Sequence, residues 1–314
     1  MNAGSTPPVD LRPLGGTGID VSPITVGTSF LGAGTEPGSA GEERAVALAT
    51  AMLQGPYALV DTSNNYAAGR SEAVLGRALP AAAPGRFVVT KTDRDATGRF
   101  DRDRVRRSFD ESCERLGVDR VPLLHLHDPF SITFEEAMAP GGAVQGMLEL
   151  RDEGLAGAIG IAAGPLEMVR RYVETGCFDA MLTHNRFTLV DRSAVPLIET
   201  ARERGMGVFN AAPFGGGLLA RGAASGGTYA YLPSPPELLD WVARAEQVCA
   251  RHGVDLRTAA LHFSLRSPLI DSTVVGVGSI EHFAALEVMR TVRVPEELWA
   301  DLDGLGPAPS TTTD

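Results

Sequence analysis

The chain has 314 residues, 44% of them hydrophobic and 21% charged, which fits a globular protein and excludes a disordered chain, a collagen or a coiled coil. Its formal net charge of −11 repels phosphate backbones and anionic lipid, so neither nucleic acid nor membrane is expected as a main partner. No run approaches the roughly 18 apolar residues of a membrane span, and the first residues show no basic or apolar leader. Cys113, Cys177 and Cys249 are odd in number and outside any CxxC spacing. They read as free thiols in a reducing compartment such as the cytoplasm.

Residues 1–10 and 306–314 are rich in Gly, Ser, Thr and Pro, and are expected as loose tails around a single domain at 11–305. Residues 11–14 and 19–21 flank GGTG at 15–18 and suggest a small hairpin covering the bottom of a barrel. That GGTG precedes the first strand of the repeat, so it fails the context of a dinucleotide fingerprint. Short β-rich runs follow at 24–28, 58–61, 87–91, 122–127, 158–161, 180–184, 207–210 and 272–276. Amphipathic stretches alternate with them at 42–54, 71–79, 102–116, 144–153, 165–175 and 193–204. In 102–116 the residues Val105, Phe109, Cys113 and Leu116 recur at helical spacing on one face. Residues 211–234 are Gly-rich without clear period, a long loop of the kind that is usually functional. Two further helices are expected at 236–252 and 256–265. Eight strand–helix units predict an α/β fold, a (β/α)8 TIM barrel with an N-terminal β-hairpin and extra C-terminal helices.

Active sites of this architecture lie at the C-terminal ends of the strands. Asp61 ends the second predicted strand, Lys91 the third, His127 the fourth, His184 and Asn185 the sixth, and Asn210 the seventh. Tyr66 follows Asp61 in the loop DTSNNYAAGRSE. Lys91 is the single lysine beside 27 arginines. Arginine keeps its charge and its planar fork, so a lone lysine marks a place that needs a compact, tunable ammonium. Asp, Tyr, Lys and His together suit a carbonyl that receives a hydride. The developing oxyanion needs a proton donor, and a neighbouring ammonium is expected to lower the Tyr66 pKa from near ~10. Asp61 would hold Lys91 charged, and His127 would hydrogen-bond the substrate oxygen.

Other readings stand beside this one. His125 and His127 form an HxH pair on one strand face, a spacing that can bind metal and supports a metal-dependent hydrolase using Lys91 and Asp61 as well. Otherwise His125 is a hydrogen-bonded residue one layer below the rim. Asp128 is expected to face away from His127. A nicotinamide-binding module without turnover is a third possibility. Phe30, Phe130, Phe214, Tyr231 and Trp241 are candidates to line a pocket, with core or loop packing expected for most of them.

The segments RPLGGTGIDVSPITVG (12–27), DTSNNYAAGRSEAVLGRAL (61–79), VVTK (88–91), LGVDRVPLLHLHDP (116–129), NRFTLVDR (185–192) and PFGGGLL (213–219) occur in this order. In order and spacing the chain resembles the aldo-keto reductase family. NAAPFGGGLL at 210–219 leans toward the branch of aldose dehydrogenases acting on galactose and fucose. The resemblance implies a barrel oxidoreductase using NAD(H) or NADP(H) on a small carbonyl or sugar. Asp61, Tyr66, Lys91 and His127 would form the tetrad, with Tyr66 as proton donor and no metal. Gly27, Thr28, His184, Asn185, Asn210, Ala211, Pro213, Gly276, Gly278, Ser279 and His282 would hold the cofactor. Ala211 stands where many relatives place an aromatic ring, His184 where they place a Gln, and Gly278 where they place a basic residue for the 2′-phosphate. The absent basic residue leaves NAD open beside NADP.

Overall fold

Eight short apolar runs pair in parallel and close on themselves. The computed structural model describes residues 9–309. The barrel strands are β1 (Ile24–Gly27), β2 (Leu59–Asp61), β3 (Phe87–Thr92), β4 (Val121–His127), β5 (Ala156–Ala162), β6 (Ala180–His184), β7 (Gly207–Ala211) and β8 (Ser272–Gly276). They are hydrogen-bonded in sequence order, and β8 closes the ring against β1 with Gly276 opposite Gly27. Helices follow the strands and cover the outside, as the alternation of apolar run and amphipathic stretch requires.

Local sequence sets the helix ends. In the helix Arg102–Leu116 the Asp101 side chain accepts from Arg104 N, and Gly117 ends the helix at φ 70°. Val105, Phe109 and Leu116 are buried on its inner face.

Inside the ring, Leu59, Val89, Leu123 and Phe209 pack into a cluster shared with Leu14 and Val21 from the hairpin. That hairpin pairs Arg12–Pro13 with Asp20–Val21. Gly16 N donates to Gly205 O, and Leu14 is fully buried. Leu14 thus plugs the N-terminal end of the barrel, leaving the other end open.

The long segment after β7 is ordered by one side chain. It forms a second hairpin, Thr228–Tyr229 with Leu232–Pro233, and the Tyr229 hydroxyl reaches Thr188 Oγ1 and Asn185 O at 2.8 Å each. At the C-terminus, Trp241 Nε1 donates to Gly306 O, and Ala308 packs on the neighbouring apolar cluster. Residues 306–308 are therefore docked where a loose tail was expected, because the indole N–H of the buried Trp241 finds their backbone as its acceptor. Of the rest of the expected tails, residues 1–8 and 310–314 lie outside the described residues, and Val9 packs against an apolar cluster that includes Ile24 and Val26. Among the described residues no helix is long and apolar enough to cross a membrane.

If the hairpin closes the barrel, Leu14→Ala removes buried volume at the end remote from the open rim. A loss of about 2–5 kcal/mol is expected in denaturant unfolding, the range for Leu→Ala in a core. A loss below about 1 kcal/mol would mean that the barrel bottom does not depend on it.

Candidate active site

The ends of β2 and β3 create the centre of the site. Asp61 and Val89 are register partners, so Lys91 lies one inward-facing position further along β3. Its Nζ donates to Asp61 Oδ1 at 2.6 Å, to Thr62 O at 2.6 Å and to the Tyr66 hydroxyl at 3.3 Å. Lys91 is 1% exposed. Burial alone would pull its ammonium down, but the Asp61 carboxylate and the Tyr66 oxygen outweigh burial and hold its pKa above the ordinary lysine value.

Tyr66 is carried in by the segment after β2, which is laid across the end of β3. Thr62 N donates to Val89 O, Asn64 N to Lys91 O, and Asn65 N to an oxygen of Asp93. Asn64 is buried and anchored to the outer helix: its Nδ2 donates to Ser108 O, and its Oδ1 accepts from Arg104. The Lys91 ammonium also stands 4.6 Å from the Tyr66 ring centroid. An ammonium this close is expected to depress the phenol, yet the Tyr66 pKa is pushed up to about 12. Burial outweighs Lys91, and the carboxylates of Asp61 and Asp93 add to it. The hydroxyl therefore keeps its proton in the resting protein.

His127 ends β4, and its ring meets that of Tyr66 edge-on at 5.6 Å. Its Nδ1 lies 2.8 Å from Asp93 Oδ1 and 3.1 Å from Ser63 Oγ. Asp93 is not among the sequence candidates, although its place two residues after Lys91, on the same face, is a signal of it. Burial would raise the Asp93 pKa, but His127, the Ser63 hydroxyl and the Asn65 N–H bring it below the usual carboxylate range. An ionised Asp93 only accepts, which assigns the proton to Nδ1 and turns Nε2 toward the cleft.

Two expectations fail nearby. Asp128 does not face away: its Oδ2 lies 3.6 Å from His127 Nε2, and it lines the cleft. A backbone φ of 42° turns the chain there. His125 is fully buried inside the barrel against Phe209, and neither ring nitrogen has a hydrogen-bond partner. Burial keeps its pKa well below the ordinary value, so it is neutral. Among the described residues no group of three or more His, Cys, Asp or Glu is placed to share a metal ion.

The cleft above Lys91 has a volume of about 540 Å³. Gly27, Thr28, His184, Ala211 and Gly276 line it. Ala212 and Phe214 line it as well, on either side of Pro213, which is buried. Phe30 and Tyr231 are exposed rings that line the cleft, the pocket role that stood beside packing for them. Asn185 lies beside it with φ 61° and a buried Oδ1 that has no partner. His184 Nδ1 accepts from Asn185 Nδ2 at 3.0 Å, and burial lowers the His184 pKa. Asn210 is not brought to the rim. It alternates outward between inward Phe209 and Ala211, and its Nδ2 bonds Phe187 O and Ser264 Oγ behind the barrel. Gly278, Ser279 and His282 stand apart from the cleft, at the N-terminus of the helix Ile280–Thr291, where the Ser279 side chain accepts from His282 N.

Asp93 links this geometry to stability. Its lowered pKa means a contribution fully present above the unfolded value near ~3.9 and withdrawn as pH falls toward the folded one. The stability gap between wild type and Asp93→Asn, from urea midpoints, should therefore shrink between pH 6 and pH 3. A constant gap would show that Asp93 is not the ionised acceptor for His127.

The Aldo/keto reductase family model matches residues 23–306. L-galactose dehydrogenase of Arabidopsis thaliana is 30% identical over 308 residues, covering 95% of this chain and 94% of that protein. D-threo-aldose 1-dehydrogenase of a Pseudomonas species is 31% identical over 270 residues, covering 77% of this chain and 82% of that protein. The holo form of an aldo-keto reductase from Bacillus halodurans shares the fold, with TM-score 0.77 and 19% identity over 96% of this chain and 98% of that one. With its closed eight-stranded barrel and a family match spanning nearly the whole sequence, this chain belongs to the aldo/keto reductase family and is an oxidoreductase.

Proposed function

We propose that this protein interconverts a carbonyl and an alcohol with NAD(H) or NADP(H), and that its substrate is an aldose with the corresponding lactone. The observation that carries the reading is the contact of the buried Lys91 ammonium with both Asp61 and the Tyr66 hydroxyl at the floor of an open cleft. The dehydrogenases named above, which act on galactose and threo-aldoses, support the sugar.

The residues present fit a nicotinamide dinucleotide. The unpartnered Asn185 Oδ1 suits a carboxamide NH2, with His184 beside it. The N-terminus of the helix Ile280–Thr291, reached through Gly276 and Gly278, suits a phosphate. Arg44 and Glu281 line a hollow of about 390 Å³ at that helix and carry opposite charges, so both dinucleotides are retained. When bound, the nicotinamide exchanges a hydride with the substrate carbon.

The protein's own part is the proton. In reduction Tyr66 gives its proton to the substrate oxygen; in oxidation the phenolate takes it back. Lys91 stabilises that phenolate, and Asp61 keeps Lys91 charged and in place. His127 presents Nε2 to the same oxygen. With Nδ1 held by Asp93, Nε2 is the ring nitrogen left to hydrogen-bond that oxygen.

Tyr66→Phe should lower kcat by about 10²–10⁴-fold, the usual contribution of a positioned acid or base. NADH and NADPH titrations by protein fluorescence should give dissociation constants within about threefold of wild type, since the hydroxyl is not part of the dinucleotide site. Normal turnover by this variant would remove Tyr66 from the proton step. Turnover of no aldose, aldehyde or alcohol by wild type with either dinucleotide would remove the proposed reaction.

A further inference from the structure

Among the charged groups lining the cleft, Asp61 is engaged by Lys91, whereas Asp128 is open. One of its oxygens, Oδ1, is buried and has no hydrogen-bond partner; the other is 3.6 Å from His127 Nε2, beyond hydrogen-bond reach. An L residue at φ 42° is uncommon, and the backbone holds Asp128 there through its N–H to Ala162 O and its carbonyl to Phe130 N. The Asp128 side chain is about a third exposed, so Oδ2 is the oxygen that the cleft can reach, and an unpaired carboxylate oxygen there suits a donor that arrives with the ligand. Leu182, Ala211 and Val274 line the same cleft and are apolar. The lining thus offers both polar groups and apolar side chains. That mixture suits a neutral polyol, which presents both hydroxyls and C–H groups.

We infer that Asp128 accepts hydrogen bonds from substrate hydroxyls next to the reacting carbon, and so selects polyhydroxylated substrates over plain aldehydes and alcohols. The inference rests on the carbonyl–alcohol reading above and deepens it. A site built around an acceptor discriminates strongly against an analogue that cannot supply the donor, because the acceptor is then left unpaired.

The test compares kcat/KM for a set of C4–C6 aldoses with that for butanal and benzaldehyde, in wild type, Asp128→Asn and Asp128→Gly, both of which tolerate a positive φ. The aldose-to-aldehyde ratio should fall at least tenfold in Asp128→Gly, and by less in Asp128→Asn, whose amide still offers an acceptor. Equal losses on both substrate classes would overturn the inference and make Asp128 a support for His127. A preference of tenfold or more for an amino sugar over the matching aldose would overturn the hydroxyl in favour of a cation. Saturation-transfer NMR of the holoenzyme with the aldoses reads binding apart from turnover. Aldose binding that disappears in Asp128→Gly would uphold the inference even if no variant turns over, in which case the proposed reaction alone fails. Aldose binding that is absent in wild type, or the same in the variant, would overturn it.

Discussion

A single buried ammonium organises the open end of this barrel. Lys91 is removed from water, and all of its donors are directed at protein oxygens: a carboxylate, a carbonyl and a phenol. A buried ion pair stands on geometry, since desolvation of both ions cancels much of their attraction, and removing one partner costs about 3–5 kcal/mol. Here parallel register supplies that geometry. Asp61 and Lys91 come from adjacent strands whose pairing is fixed by the barrel, so neither has to be brought in by a loop. Guanidinium is planar and larger and could not point three donors at these three oxygens, which explains one lysine in a chain that otherwise uses arginine.

The five residues after Asp61 convert that pair into a site. Thr62 gives its carbonyl to Lys91, Ser63 its hydroxyl to Asp93, Asn64 its amide to the outer helix, Asn65 its N–H to Asp93, and Tyr66 its phenol to Lys91. One short segment therefore sets the phenol and, through Asp93, the imidazole. A shift of this segment would move both proton-handling groups together. Asn64 is the residue that prevents it, because its side chain is tied to the helix Arg102–Leu116 behind the strands. Read alone, Asn64 and Asn65 are turn formers; in the fold they are the brackets of the site.

What was legible in the sequence follows from period and position. Alternating apolar runs and amphipathic stretches are enough for the barrel, and strand ends are enough for Asp61, Lys91 and His127. Register decides what period cannot. Asn210 sits at the end of β7 like a rim residue, but its parity turns it outward to Ser264. His125 has the right parity and lies inside the barrel, yet without the hydrogen bond expected for it. Asp128 and Tyr66 depend on backbone turns and on burial. A positive φ cannot be read from HDP, and the rise of the phenol pKa comes from surroundings that only the folded chain assembles.

Those backbone turns are distributed with a purpose. Among the described residues, the non-glycine positions with positive φ are Ala67, Ala68, Asp128, Asn185, Ala212, Ala230 and Tyr231. Each lies in a loop that follows the C-terminal end of β2, β4, β6 or β7; none lies at the plugged end. Such conformations cost on the order of 1–3 kcal/mol each and persist where the surroundings over-determine them. The plugged end has the opposite character, with Leu14 and Val21 buried in an apolar cluster and Gly15 and Gly18 taking the positive φ values of the turn without strain. Packing at one end and strain at the other are two uses of the same closed sheet. A ring of eight paired strands moves little when its loops are distorted, so the loops can hold Asp128, Asn185 and Tyr231 in positions that a flexible framework would release. Asp128 Oδ2 can wait unpaired at the cleft because the strands behind it do not yield.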